Sequence, residues 1–227
     1  MKSRARSDRV IGRTPLSAPL IVVEHLEPYT SRWMFYELRH AAILVGDGKL
    51  LVTNVKRTCE VELLGEFCRV EKASIVELTP KLDIPIIVLD PSARVRLSPR
   101  DFAEPVAVVV GGIMGSHPPG GRTRSLLTVK LEKHGAVARS LGEGQFTIDG
   151  AVYMALRVSQ GVELEEIPVQ RGLRLDLPEG GVVELPFTYP VVDGVPLISR
   201  EETEYLVFGV EEDEEVFAKT GRPPAIC

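Results

Sequence analysis

Amides are almost missing from this chain. Asn54 is its single asparagine, and Gln145, Gln160 and Gln170 are its only glutamines. Scarcity of thermolabile side chains, with charge carried by Glu and Arg, points to a thermophilic source. Cysteine is nearly as rare: Cys59, Cys68 and Cys227 are too few and too scattered for a disulfide framework or a zinc site. They read as inert thiols in a reducing cytoplasm, and no metal is expected. No apolar run approaches the roughly 20 residues of a membrane span, so no membrane partner is expected. Lys2, Arg4, Arg6, Arg9 and Arg13 crowd the start, but no long apolar stretch follows them as in a secretory signal. There is no G-x-G-x-x-G leading into a helix and no G-x-x-x-x-G-K-[ST] phosphate loop. A net charge of −5 gives no general nucleic-acid footprint.

What is present is a globular composition, 44% apolar and 26% charged, in 227 residues, enough for one full core. The chain is organised around Val106 to Gly121, V-A-V-V-V-G-G-I-M-G-S-H-P-P-G-G. The valine run predicts a buried strand, which Gly111 and Gly112 end. A buried strand emptying into a glycine loop brings bare backbone amides and carbonyls to the carboxyl edge of a sheet, where open α/β folds bind ligands.

Before it, Leu20 to Val23 predicts a strand, with Glu24, His25 and Glu27 at its end. That acid–His–acid cluster reads either as acid–base machinery or as a hydrogen-bonded histidine. Thr30 or Ser31 caps a helix whose Trp33, Met34, Leu38 and Ala41 share a face. Ile43 to Val45 and Lys49 to Thr53 read as strand-like runs around the turn G-D-G. Val61, Leu64, Phe67 and Cys68 repeat at helical spacing, and Ala73 to Leu78 is β-rich. Ile84 to Leu89 predicts a second buried strand, and Ser98 caps a single turn at Pro99.

After Gly121, Thr123 caps a helix with Leu127, Leu131 and His134 on one face, ended by Gly135. Ala136 to Arg139 is a very short strand. A second glycine loop, S-L-G-E-G-Q-F-T-I-D-G, leads to a helix capped by Thr147 and ended by Gly161. Strands alternating with helices argue an α/β domain with a mostly parallel sheet and helices on both faces. Beyond it, L-R-L-D-L and V-V-E-L-P-F-T-Y-P read as strands, Ser199 caps a short helix, and Glu211 to Glu215 reads as a solvated charge run. Two glycine loops without a phosphate signature suit a ligand read by backbone groups, such as the adenosine of S-adenosylmethionine.

The segments G-G-I-M-G-S-H-P-P-G-G-R-T and S-L-G-E-G-Q-F-T-I-D-G-A-V-Y-M-A resemble the SPOUT superfamily of S-adenosylmethionine-dependent methyltransferases. More closely they resemble a small family predicted to be RNA methyltransferases, whose eukaryotic members are protein arginine methyltransferases acting on a ribosomal protein. V-V-E-H-L-E at 22 to 27 and P-F-T-Y at 186 to 189 resemble two further motifs of that family. The resemblance spans roughly residues 20 to 206. It implies a C-terminal trefoil knot, an exception to the rule against threaded chains. It divides the chain into a basic tail (1–17), a SPOUT-like domain (18–165) and a small β-rich C-terminal extension packed on it (166–227).

By the same resemblance the cofactor S-adenosyl-L-methionine lies among Leu89, Asp90 and Pro91, then Gly111, Gly112, Ile113 and Gly115, then Leu141, Gly142, Gln145, Phe146 and Thr147. Methyl transfer needs positioning, a proton acceptor and exclusion of water. His117 is a candidate base or orienting group, Arg122 a holder of phosphate or of the cofactor carboxylate, and Glu143 a partner for an acceptor guanidinium or a proton acceptor. Glu24 and His25 form a second pair. For each the alternative is a part in loop structure. The chain departs from the family pattern at Ser116, where many relatives carry Asp, and at Gly120, where they carry Arg, so its acceptor need not be theirs. The expected acceptor is RNA or an arginine of a ribosomal protein, with the chain a monomer or a homodimer. The alternative is a non-catalytic knotted protein, binding S-adenosylmethionine or RNA, in ribosome assembly.

Overall fold

The computed structural model describes residues 18–46, 48–115, 120–178, 180–222 and 224–227. The basic segment 1–17 and His117 lie outside the described residues. Six strands, β1 (Leu20–His25), β2 (Leu51–Thr53), β3 (Arg69–Val70), β4 (Ile86–Leu89), β5 (Ala107–Gly112) and β6 (Val137–Arg139), form one sheet in the order β3-β2-β1-β5-β4-β6. Every pairing in it is parallel. A parallel sheet is covered on both faces, which is why the central strands read as unbroken apolar runs.

The helices are α1 (Arg32–Val45), α2 (Thr58–Gly65), α3 (Ile75–Leu78), α4 (Val129–Glu132), α5 (Ile148–Ser159), α6 (Arg200–Phe208) and α7 (Val210–Thr220). Successive strand residues point to opposite faces. Ile21, Val23, Val108 and Val110 pack on Met34, Leu38 and Ala41 of α1 and on Val152, Ala155 and Val158 of α5. Val22, Val88 and Val109 pack on Ile75, Leu127 and Leu131 on the other side. A second, antiparallel sheet joins β7 (Val169–Asp176), β8 (Val182–Val192) and β9 (Val195–Pro196). Its Leu185 and Tyr189 bury against Tyr205 and Leu206 of α6, with Trp33 and Tyr36 of α1 alongside.

Side-chain caps set the helix starts. Ser31 accepts from the Met34 amide, Thr147 from Gly150 and Ser199 from Glu202. Ser98 and Asp101 close a capping box around the tight turn Pro99–Phe102.

Several expectations are corrected. Ile43 to Val45 is the last turn of α1, because parallel β1 and β2 need a helical crossover. Ala73 to Leu78 contains α3 instead of a strand: Ser74 caps it, and Glu24 Oε2 accepts the Ile75 amide at 2.9 Å. Gly111 and Gly112 lie inside β5, paired with Glu24 and His25. Thr123 has helical dihedrals and makes no cap bond, and His134 is exposed. Between Thr123 and α4 the chain winds through a wide π-type stretch, Arg124–Thr128, a form often found beside functional sites.

The acidic run 211–215 belongs to α7. Its Asp213 is buried, accepting from Tyr205 Oη at 2.7 Å and pairing with Arg32 at 2.5 Å. Cys59 and Cys227 form a disulfide that closes 168 residues of chain. The last residues are strapped down further, since the Ile226 amide donates to the Thr30 carbonyl at 3.0 Å. Cys68 alone is a buried free thiol, which burial pushes up to about 12.

Candidate active site

The carboxyl ends of β4, β5 and β6 open into a cavity of about 560 Å³, a size common for small-molecule sites, which run from about 300 to 1,000 Å³. Three loops build it. In the first, after β4, Asp90 is folded back on its own turn: Oδ1 accepts from the Ser92 amide (2.8 Å) and hydroxyl (2.7 Å), and Oδ2 from Thr128 Oγ1 (2.7 Å). Its carboxylate therefore shapes the wall instead of reaching into the space.

In the second loop, after β5, Glu27 Oε1 accepts the Met114 amide at 2.9 Å and Arg122 Nη2 at 2.8 Å. Arg122 Nη2 also donates to the Met114 carbonyl at 2.6 Å. One carboxylate thus fixes both the loop and the rim cation.

In the third loop, Gly142 and Gly144 each hold φ near +98°, a left-handed conformation that favours glycine. A Cβ at Gly144 would run into Thr188 of β8. The Thr188 amide donates to the Gln145 carbonyl at 2.8 Å, laying the loop along the P-F-T-Y segment. At the rim Glu143 pairs with Arg171 at 2.6 Å, and that hydrogen bond holds its carboxyl below the usual range.

Of the residues singled out from sequence, Leu89, Asp90, Pro91, Gly111, Ile113, Leu141, Gly142, Gln145, Phe146 and Thr147 line the cavity, as do Arg122 and Glu143. Gly112 and Gly115 are not among its lining. Gly112 faces inward, where a Cβ would meet the Glu24 carbonyl at 2.9 Å and Met34 Cε at 3.0 Å. Gly115 lies so close to Phe187 and Gln145 that a Cβ would overlap both.

Glu24 and His25 are also away from the lining. Buried Glu24 accepts from Thr53 Oγ1 and Ser74 Oγ, each at 2.5 Å, so it ties β1 to β2 and α3. Buried His25 bonds Thr30 Oγ1 at 2.9 Å, and burial holds its pKa below the ordinary value despite Glu60. Its ring is thus occupied within the fold.

Met114 and Gly144, inside the segments 111–115 and 141–147 expected to form the pocket, line it too; Ser92, Val110, Gly120, Gly121, Thr123, Ile148 and Ala151 also line it and were not singled out as site residues. Ile148 carried a signal, since it follows the Thr147 cap directly, but its face reads equally as core. Glu27 sits in the V-V-E-H-L-E motif; its hold on Arg122 appears only once β1 lies beside β5.

The family model described as protein arginine N-methyltransferase SFM1-like matches residues 20–213. Protein arginine N-methyltransferase SFM1 of Saccharomyces cerevisiae is 26% identical over 195 residues, 78% of this chain and 89% of the relative. The crystal structure of the yeast arginine methyltransferase SFM1 complexed with SAM superposes with a TM-score of 0.72 at 23% identity, covering 86% of this chain and 92% of that one. The same yeast protein complexed with SAH gives 0.72 at 23% identity, over 82% of this chain and 93% of that one. The dual specific Trm10 from Thermococcus kodakaraensis gives 0.50 at 17% identity, covering 61% of this chain and 90% of that one. At these identities the structural likenesses establish the fold.

Proposed function

The chain belongs to the family of SFM1-like protein arginine N-methyltransferases, and from that premise we propose that it is an S-adenosylmethionine-dependent methyltransferase whose acceptor is the guanidinium of an arginine in a protein. The observation that carries the choice of acceptor is the state of the rim. Arg122 is the cation among the described lining residues, and it is committed to Glu27 and Met114. Neighbouring Arg171 is committed to Glu143, and Arg139 to Asp101 at 2.8 Å. A phosphate backbone needs unpaired cations, and none of the described lining residues supplies one. The family resemblance through V-V-E-H-L-E and P-F-T-Y supports a ribosomal protein as the bearer.

The cavity fits the cofactor. Val110, Ile113, Phe146 and Ile148 offer an apolar slot for a base, and the glycines leave backbone amides and carbonyls bare to read its edge. A Cβ at Gly111 would sit 3.5 Å from Ile113 Cδ1 and Thr123 Oγ1, in space the lining leaves open. When bound, S-adenosylmethionine supplies a methyl on a sulfonium that needs no further activation. Arg122, fixed by Glu27, is placed at the rim to meet the cofactor carboxylate. Glu143 stays ionised beside Arg171 and takes the proton that the acceptor nitrogen gives up as its bond to the methyl carbon forms. The G-G-I-M-G-S-H-P-P run supports His117 as an alternative base.

The SPOUT-like class supports threading of the loops after β5 and β6 as a trefoil knot in residues 18–165, with residues 166–227 as an extension packed on it. Burial of Val152, Ala155 and Val158 of α5 inside one subunit supports a monomer. The scarce amides and the disulfide support a source that grows hot, where intracellular disulfides persist.

The test is transfer of tritium from methyl-labelled S-adenosylmethionine into ribosomal material of the source organism. Label removed by protease and recovered as methylarginine is expected. Label removed only by nuclease overturns the protein acceptor.

A further inference from the structure

The guanidinium of Arg171 reaches the cavity rim from outside it. Arg171 belongs to β7 and is not among the lining residues, whereas Glu143, in the third loop, is. Arg171 Nη2 donates to Glu143 Oε2 at 2.6 Å. A guanidinium therefore sits on a carboxylate at the open mouth of the space that fits the cofactor.

The backbone is shaped to aim it there. The register of β7 against β8 slips between Arg171 and Leu173, with Gly172 at φ +74°, a left-handed conformation that favours glycine. Gln170 Nε2 donates to the Gly172 carbonyl at 3.0 Å and steadies the bulge. A bulge in an edge strand re-aims the side chain beside it, and bulges gather next to active sites. Thr188 of β8 stands opposite Arg171 in the register. The Thr188 amide also bonds the Gln145 carbonyl, and its side chain crowds Gly144. One residue of β8 thus docks the glycine loop that carries Glu143 beside the strand position that carries Arg171.

The pair is aimed but loosely held. Its side chains are 64% and 75% exposed, and an ion pair so open to water and salt exchanges readily. Among the described residues Glu143 is the one ion-pair partner of Arg171, whereas Arg122 is tied down by both Glu27 and the Met114 carbonyl. Arg96, whose charge also acts on Glu143, is taken by Glu165 at 2.8 Å. The carboxylate itself is ionised, since the Arg171 hydrogen bond first and the Arg171 charge second hold it below the usual range. A planar fork of N–H donors matches a carboxylate better than a compact ammonium does.

We infer that Arg171 is a built-in stand-in for the acceptor, holding the Glu143 carboxylate until an arginine of the protein substrate replaces it. The inference rests on the arginine reading of the site and adds a positioning residue that sets which acceptors enter. Exchange of one guanidinium for another leaves Glu143 ionised and paired throughout, and Arg171 is released to solvent at the edge of the β7-β8-β9 sheet. Because the stand-in is tethered, its effective concentration is high. Free arginine loses to it, and an acceptor gains entry through further contacts of its own chain. A lysine side chain, lacking the fork, replaces it poorly.

The experiment follows tritium from methyl-labelled S-adenosylmethionine into arginine of ribosomal protein from the source organism, over a range of acceptor concentrations, for wild type, Arg171→Ala and Arg171→Lys. Arg171→Ala should lower the half-saturating acceptor concentration about threefold to fivefold and leave the maximal rate within about twofold. Its Tm and its affinity for S-adenosylhomocysteine should stay level, and Arg171→Lys should fall between it and wild type. Loss of Arg171 removes the bond that lowers the Glu143 carboxyl, so the acid limb of the rate at low acceptor should move to higher pH. In a Glu143→Gln background the effect of Arg171→Ala on half-saturation should vanish; a purely structural pair would move Tm alone. Half-saturation unchanged or raised in folded Arg171→Ala, with the wild type methylating arginine, overturns the stand-in and leaves the arginine reading standing. A wild type that forms no methylarginine overturns both.

Discussion

Arg122 donates to Glu27 at 2.8 Å across 95 residues of sequence, and the same Glu27 oxygen accepts the Met114 amide at 2.9 Å. The carboxylate that ends the β1 motif therefore sets both the loop after β5 and the cation at the rim. Glu27→Ala should leave a half-exposed guanidinium unanchored and a loop amide unpaired. Hydrogen bonds to charged groups contribute about 1.5–3 kcal/mol, so S-adenosylhomocysteine affinity should fall roughly tenfold to a hundredfold, with a small change in Tm. Calorimetric titration of the variant checks this, and an unchanged affinity would remove Glu27 from the site.

Reduction of Cys59–Cys227 should lower stability markedly. Closing 168 residues of chain removes about 5 kcal/mol worth of denatured-state entropy in the chain-entropy picture. The strap at Thr30, Ala225 and Ile226 holds the entry to α1 beside this bond. Scanning calorimetry with and without a phosphine reductant should show a Tm drop of about 10 °C or more, and Cys227→Ser should reproduce it. Cys68→Ser, which touches the buried thiol alone, should be insensitive to reductant in its difference from wild type.

The buried carboxylates give stability a pH dependence of definite sign. Glu37 and Glu202 have folded values of about 8 and about 10, both raised from 4.5, chiefly by burial. A raised carboxyl means the folded state holds more protons than the unfolded one above pH 4.5, so each group contributes a loss of stability as pH rises toward its folded value. The slope is about 1.4 kcal/mol per pH unit for each proton held. His25, lowered by burial, has the opposite effect and disfavours the fold as pH falls below 6.5. Urea titrations at pH 7 and pH 9 should show the wild type losing stability and Glu202→Gln losing measurably less. Equal slopes in the two proteins would contradict the burial of an unpaired carboxyl.

The sheet was largely legible in the sequence. L-I-V-V, I-I-V-L and V-A-V-V-V are apolar without alternation because parallel strands are covered on both faces. The caps Ser31, Thr147 and Ser199 were legible because capping is local chemistry. The failures share a cause. Ala73 to Leu78 reads as β-rich, and Ile75–Leu78 turns into a helix because Glu24, about fifty residues earlier, accepts from its first turn. Glu211 to Glu215 looked solvated because its anchors, Arg32 and Tyr205, are set by tertiary packing. The disulfide joins cysteines far apart in sequence, where spacing carries no signal. In the site, glycine loops marked where backbone is bare, while Gly111 and Gly112 look alike in sequence and face opposite sides of β5.

That last contrast supplies the decisive measurement. A Cβ at Gly111 makes ordinary contact with Ile113 and Thr123 at 3.5 Å on the cavity side, whereas one at Gly112 would strike the Glu24 carbonyl. Gly111→Leu should therefore fold and fill the cavity, while Gly112→Leu should lose stability. Calorimetric titration of wild type and Gly111→Leu with S-adenosylhomocysteine tests the cofactor pocket directly. Micromolar binding by the wild type, abolished in Gly111→Leu at a near-wild-type Tm, is the result this account predicts. Equal binding by the folded variant, or none by the folded wild type, would contradict it.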